Sequence, residues 1–182
     1  MKSKFIKDHF DTIYKQRKTF EEDIYDYRGK EWIRPVSDKW SIGETYYHLY
    51  LLIKRFRQLN KLYIPIGKPF SLMWKHKPYK TDIEDIYSAY KAKKGKAMKA
   101  PNILQPPKNS ESKPSLKQIT KKLDMETEDL ENMVAGMESE CAGHIRYPDP
   151  LAHNPNLIQS ICLIGIHEQH HFKLCKKYYR SL

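Results

Sequence analysis

Two histidines four residues apart, His167 and His171, lie in the stretch I-G-I-H-E-Q-H-H-F-K-L. On a helix, residues i and i+4 sit one above the other on one face. Two imidazoles so placed can share a metal ion. Ser160, Ile164, His167, His171, Leu174 and Tyr178 repeat at the three-and-four spacing of a buried stripe, so the pair is expected to face inward. A pair needs at least one more ligand, and His48 is the best candidate. It falls one and a half turns inside another helical pattern, on a face shared with Ser41, Glu44 and Arg55. Three imidazoles from two helices, with the remaining positions open, form the donor set of a catalytic zinc-type centre. A lone histidine reads more simply as a core or surface group; the set of three carries the chemistry.

The neighbours have two readings each. Glu44 could be a carboxylate that orients His48 from behind, or the reciprocal partner of Ser41 in an S-x-x-E capping box. H-E-Q-H-H also fits the H-E-x-x-H of zinc proteases, in which the glutamate is a general base. Glu168, however, is turned about 100° from His167, and no third ligand follows downstream. His170 is expected to point away from the pair, toward a rim or solvent. Cys175 reads as a core thiol, and Trp40 as packing at the start of the second helix.

Four helical patterns must position these residues. The first carries Ile6, Phe10, Ile13, Phe20 and Ile24 and ends near Arg28-Gly29-Lys30. The second opens at Ser41 and runs to about Tyr63, where Pro65 and Gly67 stop it. The third runs from about Ser115 to Cys141. The fourth follows Asn154-Pro155, a cap and a first-turn residue, and continues to about Tyr179. Residues 65–114 form a long connection between the second and third, with one short helical pattern near 82–93 opened by Thr81-Asp82-Ile83-Glu84. A connection this long tends to be functional. The expected fold is all-α: one domain over residues 1–182, a four-helix bundle with a long crossover between helices two and three.

W-S-I-G-E-T-Y-Y-H-L at 40–49 resembles the W-S-x-x-E-x-x-x-H-L signature of the DinB/YfiT-like superfamily of metal-dependent proteins. H-E-Q-H-H at 167–171 resembles that family's second signature, and Y-P-D-P-L-A-H-N-P-N-L its connector into the last helix. The resemblance implies a four-helix bundle and assigns His48, His167 and His171 as metal ligands. It also implies an enzyme of thiol-transferase or hydrolase type, in which one divalent ion activates water or a low-molecular-weight thiol. Zinc suits three imidazoles best, and nickel also fits them. The chain departs from the family pattern at Leu174, where members often carry Gln, and at Phe172-Lys173 beside the last ligand.

Composition sets the remaining expectations. No run of about 18 apolar residues exists, so no membrane span is expected. The start, M-K-S-K-F-I-K-D-H-F, lacks the apolar stretch of a secretion signal, and three cysteines suit reduced thiols in the cytoplasm. Of the net charge of +11, residues 65–122 hold most, with 14 lysines, no arginine and 4 acids. An arginine-free lysine segment is poor at reading bases, so nucleic acid is not the expected partner. The segment reads first as a solvated connection, and Lys91, Lys93, Lys94, Lys96 and Lys99 could also steer an anionic small-molecule substrate. Tyr-rich apolar helix faces also suggest a homodimer. The rival readings are a non-catalytic metal-binding or stress-response bundle, in which the ion only staples two helices, and a basic nucleic-acid-binding module.

Overall fold

The computed structural model describes residues 1–87, 100–107, 113–149 and 152–179. Its helices are α1 (Lys4–Asp23), α2 (Ile42–Trp74), α3 (Leu116–Val134), a single turn α4 (Ser139–Ala142) and α5 (Leu157–Tyr179). No strand occurs among the described residues; one isolated bridge joins Arg146 and Asn156. The fold is the expected all-α bundle.

Direction follows from the cross-links. Phe20 stacks against Phe172 at 4.1 Å between centroids, and Gln16 donates to the Gly165 carbonyl at 3.1 Å, so α1 and α5 run parallel. Arg17 reaches Asp124 at 3.1 Å while Tyr14 reaches Glu131 at 2.8 Å, so α3 runs against α1. Lys2, at the start of α1, donates its amide to the Ala135 carbonyl just past the end of α3. Trp32, which packs on Gly43 at the start of α2, donates to the Pro114 carbonyl just before α3. Farther along, Arg57 of α2 donates to Glu126 of α3 at 2.6 Å. Thus α2 and α3 are parallel neighbours, and their connection must travel back along α2.

Ser41 caps α2 as expected. Its hydroxyl accepts from the Glu44 amide, and the Glu44 carboxylate accepts from the Ser41 amide. The expected stop at Pro65 is overturned: α2 continues through Pro65 and Pro69 to Trp74. Both prolines face solvent, so the carbonyls they leave without an amide partner can turn to water. The opposite face is held by packing. Ile64 is buried, Gly67 lies against Ile145, and the Ser71 hydroxyl bonds Cys141 Sγ at 2.7 Å. Tertiary contact outweighs the local breaker. The outer face of this extension leaves Leu62, Ile66, Phe70 and Met73 exposed.

Two other boundaries differ from expectation. The third pattern breaks at Val134, because Glu138 is extended (φ −79°, ψ 150°) and starts α4 separately. Asn154 is not the cap of α5. It adopts φ 55°, the left-handed region that asparagine tolerates, whereas a cap needs extended backbone. Asn156 caps instead, in a reciprocal pair with Gln159, each amide donating to the other's side-chain oxygen at 3.0 Å. In the crossover, residues 81–85 form no helix, so the box expected at Thr81–Glu84 is absent; helix begins at Ile86, with Asp85 accepting from the Tyr87 amide. The rest of the 82–93 pattern, and Lys91, Lys93, Lys94, Lys96 and Lys99, lie outside the described residues.

Candidate metal centre

His48 comes from the second turn of α2, and His167 and His171 from the middle of α5. Their ligand-capable nitrogens all lie within 4.8 Å of one another. His48 is 1 % exposed, and its Nε2 is 2.8 Å from His167 Nε2. The three residues singled out by spacing therefore meet at one point between α2 and α5.

The surroundings fix how the nitrogens can be used. His48 Nδ1 lies 2.7 Å from the carbonyl oxygen of Leu104. A carbonyl only accepts, so Nδ1 carries the hydrogen and Nε2 turns its lone pair into the site. The Tyr87 hydroxyl bonds His167 Nδ1. Trp40 stacks on His171 at 5.7 Å and 13° between planes, and also touches His48 at 4.8 Å. Burial pushes all three imidazoles toward the neutral form. His167 is held down at about 3 by burial, with His48 and His170 adding to it. His171 is held well below its ordinary value, first by burial and then by its histidine neighbours. His48 is lowered by burial against the opposing bond to Leu104. Three neutral imidazoles with converging lone pairs fit one divalent cation; a cluster kept neutral by burial has no other charge to hold it together.

Glu44 is not behind His48. Its carboxylate accepts from the Arg34 guanidinium at 2.7 to 3.1 Å and from the Ser41 amide at 2.8 Å. The group behind His48 is the Leu104 carbonyl, which no sequence pattern marks, since every residue carries one. Glu168 is also turned away from the triad. It is 0 % exposed and bonded to Arg17, Nε to Oε2 at 3.0 Å and Nη2 to Oε1. Arg17 in turn holds Thr127 at 2.9 Å and Asp124 at 3.1 Å. Burial opposes the charge on Arg17, but Glu168 and Asp124 outweigh it and raise its pKa. The glutamate of H-E-Q-H-H is thus a structural counter-ion, and a protease-type general base at that position is ruled out by its partners.

The triad opens on a cavity of about 450 Å³. Its walls include Trp40, Leu52, Leu174 and Tyr178 from the bundle, and Ile86, Tyr87, Pro101 and Leu104 from the crossover. Charged groups at its lining are Asp38, Lys39 and Asp149. His170 does not point away as expected; it lines the same cavity and stacks on Tyr87 at 5.0 Å and 19°. Cys175 is buried, as a core thiol should be, and also forms part of the wall, its sulfur 3.3 Å from Thr45 Oγ1. Burial raises that thiol to about 11. Among the residues that spacing did not single out, Trp40 had a signal, its place just before the cap of α2. Tyr87 had none, being one of 13 tyrosines.

Comparison with known proteins agrees with this arrangement. No curated protein and no solved structure matches the chain. A family model described as the DinB superfamily matches residues 29–175, a span that includes the cap of α2, the whole crossover and all three histidines. The chain belongs to the DinB superfamily.

Proposed function

We propose that this protein is a divalent-metal-dependent enzyme in which His48, His167 and His171 hold one ion beside the apolar cavity. The observation that carries the proposal is the convergence of the three nitrogens within 4.8 Å, with His48 already locked in the ligand tautomer by Leu104. Zinc is the preferred ion, and nickel suits the same donors. Such an ion supplies Lewis acidity and favours the anionic form of a nucleophile at neutral pH, either water or a low-molecular-weight thiol. The reaction class is therefore thiol transfer or hydrolysis.

The chain's own residues do the rest. Trp40 and Tyr87 wall off the imidazoles on two sides and exclude water there. Leu52, Ile86, Pro101, Leu104 and Leu174 offer the substrate an apolar bed. With one lysine and two aspartates at the lining, the described walls favour a small molecule with an apolar body; attraction of an anion rests on the lysines outside the described residues. A fixed acid or base from Glu44 or Glu168 is not part of the proposal, because both are committed to arginines.

Elemental analysis should find about one divalent ion per chain, and His171→Ala should lose most of it. A triple alanine variant that kept its metal would move the site elsewhere. Thiol acceptors and hydrolysable esters and amides should then be screened with and without chelator. Loss of turnover on chelation supports the enzyme; metal binding with no turnover across the screen supports the stapled, non-catalytic bundle. No helix among the described residues is long and apolar enough to cross a membrane, and the three cysteines are free thiols, which suits a cytoplasmic enzyme. A homodimer completes the proposal, with the exposed Leu62, Ile66, Phe70 and Met73 as the face a second copy would cover. Sedimentation as a monomer at micromolar concentration would reject that part.

A further inference from the structure

The crossover is tied down where it passes the start of α5. Asn156 and Gln159 cap that helix with their side-chain oxygens, and their side-chain amides are left to donate elsewhere. Asn156 donates to the Lys80 carbonyl and Gln159 to the Asp82 carbonyl, both at 2.7 Å. Asp85 then accepts from the Tyr87 amide at 3.0 Å. The Tyr87 ring lies flat against His170, and its hydroxyl meets His167 Nδ1. A chain of polar contacts thus runs from the helix cap to one atom of the triad.

The two histidines that face each other have different partners behind them. His48 is backed by the Leu104 carbonyl, which only accepts, so its Nε2 is always bare. His167 Nε2 lies 2.8 Å from that nitrogen. For His167 to turn its Nε2 lone pair toward a shared cation as well, its hydrogen must sit on Nδ1, and the group behind it must accept. The Tyr87 hydroxyl oxygen lies at Nδ1 and can accept that hydrogen.

We infer that Tyr87 is the positioning residue of His167, its hydroxyl oxygen accepting the Nδ1 hydrogen so that Nε2 faces the shared cation. This rests on the reading of the triad as a metal centre. It assigns the first arm of the crossover a part in building the site, alongside the Leu104 carbonyl on the second.

The test compares wild type with Tyr87→Phe, which keeps the ring and removes the hydroxyl. Cobalt(II) affinity, measured by competition with a chelator, should fall about 10- to 100-fold, the usual consequence of losing the group behind a ligating histidine. The visible cobalt spectrum should shift. Thermal unfolding of the two metal-stripped proteins should differ by a few degrees at most, which separates positioning from a loss of fold. If wild type takes up no cobalt, the metal reading fails and this inference with it. If wild type binds cobalt and Tyr87→Phe matches it in affinity and spectrum, only the assignment of Tyr87 falls.

Discussion

Glu168→Gln separates the structural from the catalytic reading of H-E-Q-H-H. The side chain is 0 % exposed and Arg17 is 3 % exposed, so removing one charge leaves the other buried. Breaking a buried pair in this way typically costs about 3–5 kcal/mol. Asp124 and Thr127 still contact Arg17, and Asp124 is partly exposed, which argues for the lower end, about 3 kcal/mol. For a chain of this size 1 kcal/mol shifts Tm by about 2–4 °C, so the loss should be roughly 6–12 °C. Metal content should be unchanged, since Glu168 faces α1 and not the triad. Replacing both partners, Arg17→Met with Glu168→Gln, should recover much of the loss, because the one charge left without its partner, Asp124, is partly exposed to water. Differential scanning calorimetry with metal analysis on the same samples reads all three. Glu168→Gln with wild-type Tm and no turnover would refute the reasoning and restore a general-base role.

Other outcomes follow from the same geometry. The depressed pKa of His167, about 3 against 6.5 unfolded, means that its contribution to stability is complete above pH 6.5. Below that the unfolded imidazole takes up a proton the folded one refuses, so stability falls toward pH 3 by about 1.4 kcal/mol per unit. His48 and His171 shift in the same direction; urea titrations at pH 7.5 and 5.5 on metal-stripped protein should show the loss, and a His167→Ala variant should show less of it. Metal retention should fall over the same acid range. Gly43→Ala should lower Tm by several degrees, because an added Cβ would sit 2.6 Å from the Trp32 ring; an unchanged Tm would mean that Trp32 moves freely. Ser41→Ala should cost about 1 kcal/mol through the lost cap of α2, measured by chemical denaturation. Binding to duplex DNA should be at most weak and abolished by salt; tight, sequence-selective binding at physiological salt would show that the lysine-rich segment has another purpose.

The helices were legible because their apolar residues repeat at helical spacing, and His48, His167 and His171 because each sits on or beside such a stripe. The buried partnership of Arg17 with Glu168 was not read from the sequence, although Arg17 lies between Ile13 and Phe20 on the buried face of α1. The length of α2 was not, because Pro65 argues locally for a stop while Gly67 and Ser71 are held by contacts with residues some 70 positions away. The partners of the triad were the least visible. Leu104 acts through its backbone, and Tyr87 gains its role only from where Asn156 and Gln159 pin the crossover.

The parallel pairing of α2 and α3 also bears on how freely this site can be altered. At about 1.5 Å per residue, the 33-residue α2 is roughly 50 Å long, and extended chain spans about 3.3 Å per residue. Some 15 residues would return the chain to the start of α3, and residues 75–114 exceed that more than twofold. Closure entropy grows only with the logarithm of length, about 0.6 kcal/mol per doubling, so insertions or deletions there cost the bundle little. The histidines ride on the helices, while Tyr87 and the Leu104 carbonyl reach them from a connection longer than its span requires. Changes of length away from those two contacts and from the anchors at Lys80 and Asp82 can alter the guest while the triad keeps its grip.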